Sequence, residues 1–318
     1  MAINAGNINE VELKSSLRKE TIKSIKKDWQ LYSLLILPII YYIIFKYGPL
    51  YGNIIAFRKY VPGGPVYGTE WVGFRYFEMF ITDPTFWNVF KNNIILSVGS
   101  LIFGFPLPII FALLLNELSN GLFKRVVQTT SYLPHFLSAV IVAEIIMEML
   151  SPTSGVINML IKTLGGEPIH FLASPEWFRP IYWISGIWQE TGWGAIIYLA
   201  ALSNISPELY EAAAIDGAGR WQQTVHITIP GIMPTIIILL ILNIGGLMGV
   251  GFEKILLLYN PLTYSTADVI STYLYRMGLE SNNFSYATAI GLFESIIGFT
   301  LVTVANYVSR KLTDTSLW

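Results

Sequence analysis

Six long apolar stretches, separated by charged and turn-rich segments, leave this chain few folds to choose from. About 20 apolar residues carry an α-helix across a bilayer. Lipid satisfies no backbone N–H or C=O, so an isolated stretch of that kind must be helical. The stretches fall at Leu31–Leu50, Asn93–Leu115, Thr129–Leu150, Pro180–Leu202, Gly231–Leu258 and Phe284–Val308. They predict an all-α membrane protein with six transmembrane helices. The first is broken by Lys46 and Gly48-Pro49, and the fifth by Gly245, Gly246, Gly249 and Gly251, where bending is expected. Only 13% of residues are charged, against about a quarter in soluble domains. Much of the surface therefore faces something other than water. A net charge of −1 excludes a nucleic-acid partner, which demands a basic face. With no cysteine, disulfides, thiolate nucleophiles and Cys-type metal sites are excluded as well.

Lys14, Arg18, Lys19, Lys23, Lys26 and Lys27 precede the first stretch and set the orientation. Both termini are expected in the cytoplasm, with a tail over 1–30, a six-span membrane domain over 31–308 and a second tail over 309–318. The tail is not read as a cleavable signal, because no small-x-small site follows the first stretch. Ile22, Ile25 and Trp29 share one helical face; the tail either rests on the lipid surface or is a solvated charge run.

The cytoplasmic loop over 204–230 holds the most specific pattern: Ser206-Pro207-Glu208-Leu209-Tyr210-Glu211-Ala212-Ala213-Ala214-Ile215-Asp216-Gly217-Ala218-Gly219-Arg220-Trp221. Ser206 is expected to cap a helix, Pro207 suits its first position and Glu208 its positive end. The alanines promote helix, and Gly217 can end it in a left-handed conformation. A second short segment, Arg220 to Ile229, leads to Pro230 and Pro234, which are expected to open the fifth span. The product is a short rigid helix with a thin alanine face. Another protein can approach that face closely, and Glu211 and Asp216 offer it anchoring charges. The pattern by itself leaves open whether this helix transmits a partner's movement or lies on lipid headgroups.

Glu211-Ala212-Ala213, Asp216-Gly217-Ala218, Trp221, Ile227 and Pro230 resemble the EAA motif of binding-protein-dependent importer permeases, with Thr224 where many members carry Phe. Leu37-Pro38 through Phe45-Lys46-Tyr47, Trp71-Val72-Gly73-Phe74, Ser131-Tyr132-Leu133-Pro134-His135-Phe136 and Leu258-Tyr259-Asn260-Pro261-Leu262 are similar to the LplB-like branch of the maltose-permease group. The resemblance implies a type I ABC importer permease in a bacterial-type cell membrane. It implies an ATPase docking on Glu211, Ala212, Ala213, Asp216, Gly217, Ala218 and Trp221. It further implies a second related permease, two ATPase subunits, an extracellular solute-binding protein and an oligo- or polysaccharide substrate. The chain has no G-x-x-x-x-G-K-[ST] loop, so ATP and Mg are expected on the partner ATPase, with no cofactor and no catalysis in this chain.

Ionisable groups inside a span are expensive and face a polar interior. Glu144 and Glu148, one turn apart, stand in the third stretch. Trp188, Gln189, Glu190 and Trp193 stand in the fourth, Asn243 in the fifth and Glu294 in the sixth. Carboxylates and amides bond sugar hydroxyls, and aromatic faces cover the apolar faces of sugar rings, so these residues are the candidate substrate path. Joining helices is the alternative role for each. The acidic bias points to a neutral rather than a polyanionic sugar. His135, His170 and His226 lack metal-ligand spacing and are read as structural. An ATP-independent secondary transporter of a polar solute and an intramembrane enzyme are the rival classes. For the second, Glu144 with Glu148 is the one close pair, and no histidine stands nearby in sequence.

Overall fold

The computed structural model describes residues 23, 27–119, 121–313 and 315–318; helices are the only regular elements among them, with one isolated antiparallel bridge between Arg58 and Trp71. The expected tail face on Ile22 and Ile25 lies outside the described residues. The chain runs α1 Trp29–Phe57, α2 Arg75–Thr82, α3 Pro84–Glu117, α4 Leu122–Phe136, α5 Ala139–Leu150, α6 Val156–Thr163 and α7 Pro175–Ser203. It continues through α8 Pro207–Ile215, α9 Arg220–Gly245, α10 Phe252–Leu258, α11 Tyr264–Ala267, α12 Ile270–Tyr275 and α13 Phe284–Leu312.

Four of these, α1, α3, α9 and α13, are long and apolar enough to cross a membrane, and the bent pair α4–α5 passes the same test only when its two parts are taken together. The 29-residue α7 is long enough at roughly 1.5 Å per residue, but Glu176, Arg179 and Glu190 dilute its apolar character. Helices overrun most of the expected spans, because capping rather than hydropathy sets where a helix stops. Thus α3 starts at Pro84, where the Asp83 carboxylate accepts the Thr85 N–H at 2.8 Å. Burial pulls the Asp83 carboxyl upward, but the Thr85 N–H and the Tyr273 hydroxyl outweigh it and hold it below its ordinary value.

Two expected spans are corrected. The third is not continuous: the chain turns by 102° between Phe136 and Ala139, where Leu137 is extended and the Ser138 hydroxyl caps the new helix at Ile141 N–H. The fifth does not reach Leu258. It ends at Gly245, and the next six residues are irregular before α10. Its start is corrected too, because Arg220 to Gly245 is one helix rather than a short segment followed by a span.

Prolines explain three of the four widened turns among the described residues, the exception being Arg276–Glu280. The turns over Ile43–Tyr47, Ser100–Gly104 and Thr224–Thr228 widen to π geometry, and each is followed after one residue by Pro49, Pro106 or Pro230. A proline removes one backbone bond and crowds the carbonyl four residues earlier. That carbonyl falls inside the widened turn each time, and the helix continues instead of breaking.

Three apolar clusters hold the bundle together. One joins Phe80, Phe86 and Val89 to Ile270 and Ile290. The second joins Leu96 to Val142, Phe178 and Ile255, and the third Ala112 to Ala195, Tyr198 and Ile232. The apolar window of α1 takes no part, being fully unburied within this chain.

Candidate functional site

A main cavity of about 950 Å³ is walled by α3, α7, α9 and the irregular segment before α10. It exists because α9 stops at Gly245. Irregular backbone among spans persists only where protein satisfies its polar groups or a cavity wets them. Here the Asn93 amide donates to Met248 O at 3.1 Å, the Ser97 hydroxyl donates to Leu247 O, and the Gly251 N–H donates to the Tyr182 hydroxyl at 3.2 Å.

Of the eight candidate path residues, Gln189, Glu190 and Asn243 line this cavity. The Gln189 amide donates to Leu137 O at 3.4 Å, and the Asn243 amide to Leu239 O, one turn back in its own helix, at 2.8 Å. Trp193 stands beside the cavity. His135, on α4, stacks on its ring with centroids 4.6 Å apart and planes 2° apart, and donates from Nδ1 to the Glu190 carboxylate at 3.0 Å. Phe136 meets Trp193 edge-on at 5.3 Å. Trp188 is exposed on another side of α7. Glu294 opens into a separate notch of about 480 Å³ between α9 and α13, beside Gly245 and Gly298. Glu144 and Glu148 do not reach the main cavity. Only Ala139 of α5 lines it, and the two glutamates lie about 140° and 180° further round at 100° per residue. Glu148 accepts instead from the Ser154 hydroxyl at 3.2 Å.

Two residues in or beside the cavity were not among the candidate path residues: Lys254 lines it, and His135, read from sequence as structural, contacts Glu190 and Trp193. His135 reads as an isolated histidine until the bend after Phe136 brings it against α7. Lys254 lies within the stretch first taken as the fifth span, where only Asn243 was read as polar. Its ammonium sits in the cavity wall, 3.2 Å from the Ser185 hydroxyl and 5.1 Å from the centre of the Tyr182 ring.

The second site is the helix α8. The Ser206 hydroxyl makes no capping bond, although its residue occupies the cap position. The far end closes as foreseen: Gly217 has φ +83°, Ala218 N–H reaches Ala213 O at 2.8 Å and Gly217 N–H reaches Ala214 O at 3.1 Å. These are the paired bonds of a Schellman end. Three contacts then tie α8 and its turn to the start of α9. The Tyr210 and Thr228 hydroxyls lie 3.1 Å apart, the Gln223 amide donates to Ala218 O at 3.0 Å, and the Gly219 N–H bonds the Gln222 side chain at 2.9 Å. Glu211, Ala212, Asp216 and Gly217 are exposed, and Ala213 and Ala218 half-buried. Ile215 and Trp221 present 86% and 77% of their surface, an apolar edge that the chain itself leaves uncovered.

Residues 104–314 match the family described as binding-protein-dependent transport system inner membrane component. The chain is 46% identical over 295 residues to the protein LplB of Bacillus subtilis (strain 168), covering 93% of each. It is 43% identical over 311 residues to the polygalacturonan/rhamnogalacturonan transport system permease protein YteP of the same organism, covering 98% of this chain and 97% of that one. Among solved structures, a chain of a bacterial alginate ABC transporter, in complex with alginate pentasaccharide-bound periplasmic protein, superposes with a TM-score of 0.85 at 46% identity. That match covers 93% of this chain and 99% of the other.

Proposed function

The chain belongs to the binding-protein-dependent transport system inner membrane components, and from that premise we propose how it sits and works. It is a permease subunit of an ATP-driven importer of oligo- or polysaccharides and performs no catalysis itself. It crosses a bacterial cytoplasmic membrane six times, through α1, α3, the bent pair α4–α5, α7, α9 and α13, and both termini are cytoplasmic. A second, related permease completes the path, two ATPases bearing ATP and Mg dock on the inner face, and a solute-binding protein delivers sugar outside. The uncovered apolar surface of α1 supports contact with lipid or with that second permease.

One observation carries the mechanism: α8 is joined at both ends to the helices that wall the main cavity. It follows α7 after the short link Asn204–Ser206 and is pinned to α9 through Tyr210–Thr228 and Gln223–Ala218. When the ATPases close on ATP, they push α8, and its stiff turn passes the push to α7 and α9. The cavity between those helices then opens outward to receive sugar, and hydrolysis returns it. The exposed Glu211, Asp216, Ile215 and Trp221 form the face that the ATPase grips.

Because the sequence contains no cysteine, Ala213→Cys is a clean reporter of sidedness. A membrane-impermeant maleimide is expected to label it in inside-out vesicles only, and less so with the ATPase bound. Labelling in intact cells would place α8 outside and end this account.

The cavity has its own test. Glu190→Ala and Trp193→Ala are each expected to lower uptake roughly tenfold, the scale of one hydrogen bond to a charged group, while the assembled transporter still purifies with its ATPase. Unchanged uptake in both variants would remove this cluster from the path.

A further inference from the structure

We propose that Lys254 is a specificity-determining residue of the path, and that it reads a carboxylate on the sugar. The transported class is then an acidic, uronate-bearing oligosaccharide. This rests on the permease reading above and deepens it.

The starting observation is an ammonium with no direct ion-pair partner: Glu190, the carboxylate that acts on it through charge, stands beyond contact and bonds His135 instead. Lys254 is the one lysine or arginine among the residues lining the main cavity. Among the described residues, no carboxylate lies within the 4.0 Å of an ion pair from its Nζ. A cation placed among spans is costly, and such groups persist where they serve a substrate or ion pathway. Lys254 is held in place by neutral groups: the Ser185 hydroxyl at 3.2 Å and the face of Tyr182 at 5.1 Å. The hydroxyl uses one of its three N–H donors, and the aromatic face steadies the charge without neutralising it. The remaining donors belong to the cavity, and the group that completes them best is an anionic oxygen.

Of the carboxylates that suggested a neutral sugar, only Glu190 lines this cavity. Glu144 and Glu148 face away from the cavity, and Glu294 opens into another one. Glu190 is taken up by His135 at 3.0 Å. Glu253 lines the cavity but, as the neighbour of Lys254 in α10, points about 100° away round the helix. A second cationic station follows along α7. Beyond Tyr198, Leu199 and Ser203 wall a cavity of about 560 Å³ whose other lining residues include Lys124 and Arg125. An acidic sugar moving along α7 meets a cation in each.

The experiment uses the complete transporter, with its partner permease, ATPases and binding protein, in proteoliposomes. Trigalacturonate and its fully methyl-esterified, neutral form are the probes, at saturating binding protein. The wild type is expected to import trigalacturonate. Lys254→Gln is expected to lower that import roughly tenfold, the loss of one charge-assisted contact, and Lys254→Arg to keep most of it. Import of the methyl ester, however small, should be the same in all three. Equal trigalacturonate import by wild type and Lys254→Gln would overturn the proposal. So would an equal loss of both probes, which is the mark of a structural lysine or one paired with the second permease. Import of neutral sugars alone would overturn the acidic class and leave the permease reading standing. Failure of that reading has a separate signature: no ATP-dependent uptake of any sugar and no ATPase co-purifying with the wild type.

Discussion

Gly217→Val is expected to abolish ATP-driven uptake while the protein still inserts and assembles with its partner permease, and Gly217→Asn to keep most of the activity. The reason lies in the backbone. Gly217 sits at φ +83°, and an added Cβ would meet no atom within 4 Å, so space is not the issue. The left-handed conformation costs an ordinary L residue about 1–2 kcal/mol. It costs a β-branched residue more, and asparagine less. Valine therefore favours continuing the helix or reopening the turn. Either outcome breaks the Ala218–Ala213 and Gly217–Ala214 bonds that end α8 and releases the turn that Gln223 holds. A lever with a loose joint absorbs the ATPase stroke instead of passing it to α9. Glu211→Lys attacks the same step from outside: it reverses an exposed charge on the gripping face and is expected to reduce ATPase co-purification. Measuring uptake and co-purified ATPase on the same preparations separates the two failures. Wild-type uptake by Gly217→Val, with ATPase bound, would remove α8 from the coupling path.

The helix α8 was legible in the sequence because its determinants are local. Pro207, the alanines and Gly217 each act on the residues beside them, and the structure realises the helix and its left-handed end. Even so, the expected Ser206 side-chain cap does not form. The membrane-crossing character of most spans was legible for a similar reason, since hydropathy is read along the chain. What hydropathy does not encode is where a helix stops. Gly245 ends α9, and the 102° turn after Phe136 divides the third stretch. In both places side chains from other helices bond the freed backbone: Asn93 and Ser97 after Gly245, and Gln189 at Leu137. Three of the eight candidate path residues share one cavity. Gln189, Glu190 and Asn243 converge as expected, but listing charges span by span cannot say which face of a helix meets the cavity. Glu144, Glu148 and Glu294 were therefore grouped with residues they do not approach. His135 was read as structural and Lys254 was passed over, because their partners lie 55 and 69 residues away in sequence.

That dependence on distant partners makes the crossing of α4 and α7 the most vulnerable point in the chain. Gly192 is buried where α7 meets α4. An ideal Cβ there would fall 2.1 Å from Ser131 O and 2.4 Å from the Ser131 carbonyl carbon. Both are backbone atoms, so no rotamer change relieves the clash and the helices themselves must separate. Overpacking of this kind costs about 1–3 kcal/mol, occasionally more. Gly192→Ala is therefore expected to lower the thermal midpoint of the purified transporter by several degrees, and Gly192→Leu to prevent its recovery as an assembled complex. Gly291→Ala on α13 is the control, because its added Cβ meets nothing within 4 Å and a glycine in mid-helix loses roughly 0.5–1 kcal/mol relative to alanine. It should leave stability unchanged or slightly raised. The consequence reaches the cavity as well. His135 lies one turn beyond Ser131 on α4, while Glu190 and Trp193 flank Gly192 on α7, so the contact that forbids a side chain at 192 is also what brings the imidazole onto the indole and the carboxylate. Any Gly192→Ala protein that does assemble should accordingly lose uptake to an extent comparable with Glu190→Ala. Wild-type thermal stability and uptake in both Gly192 variants would show that this crossing is looser than its geometry requires.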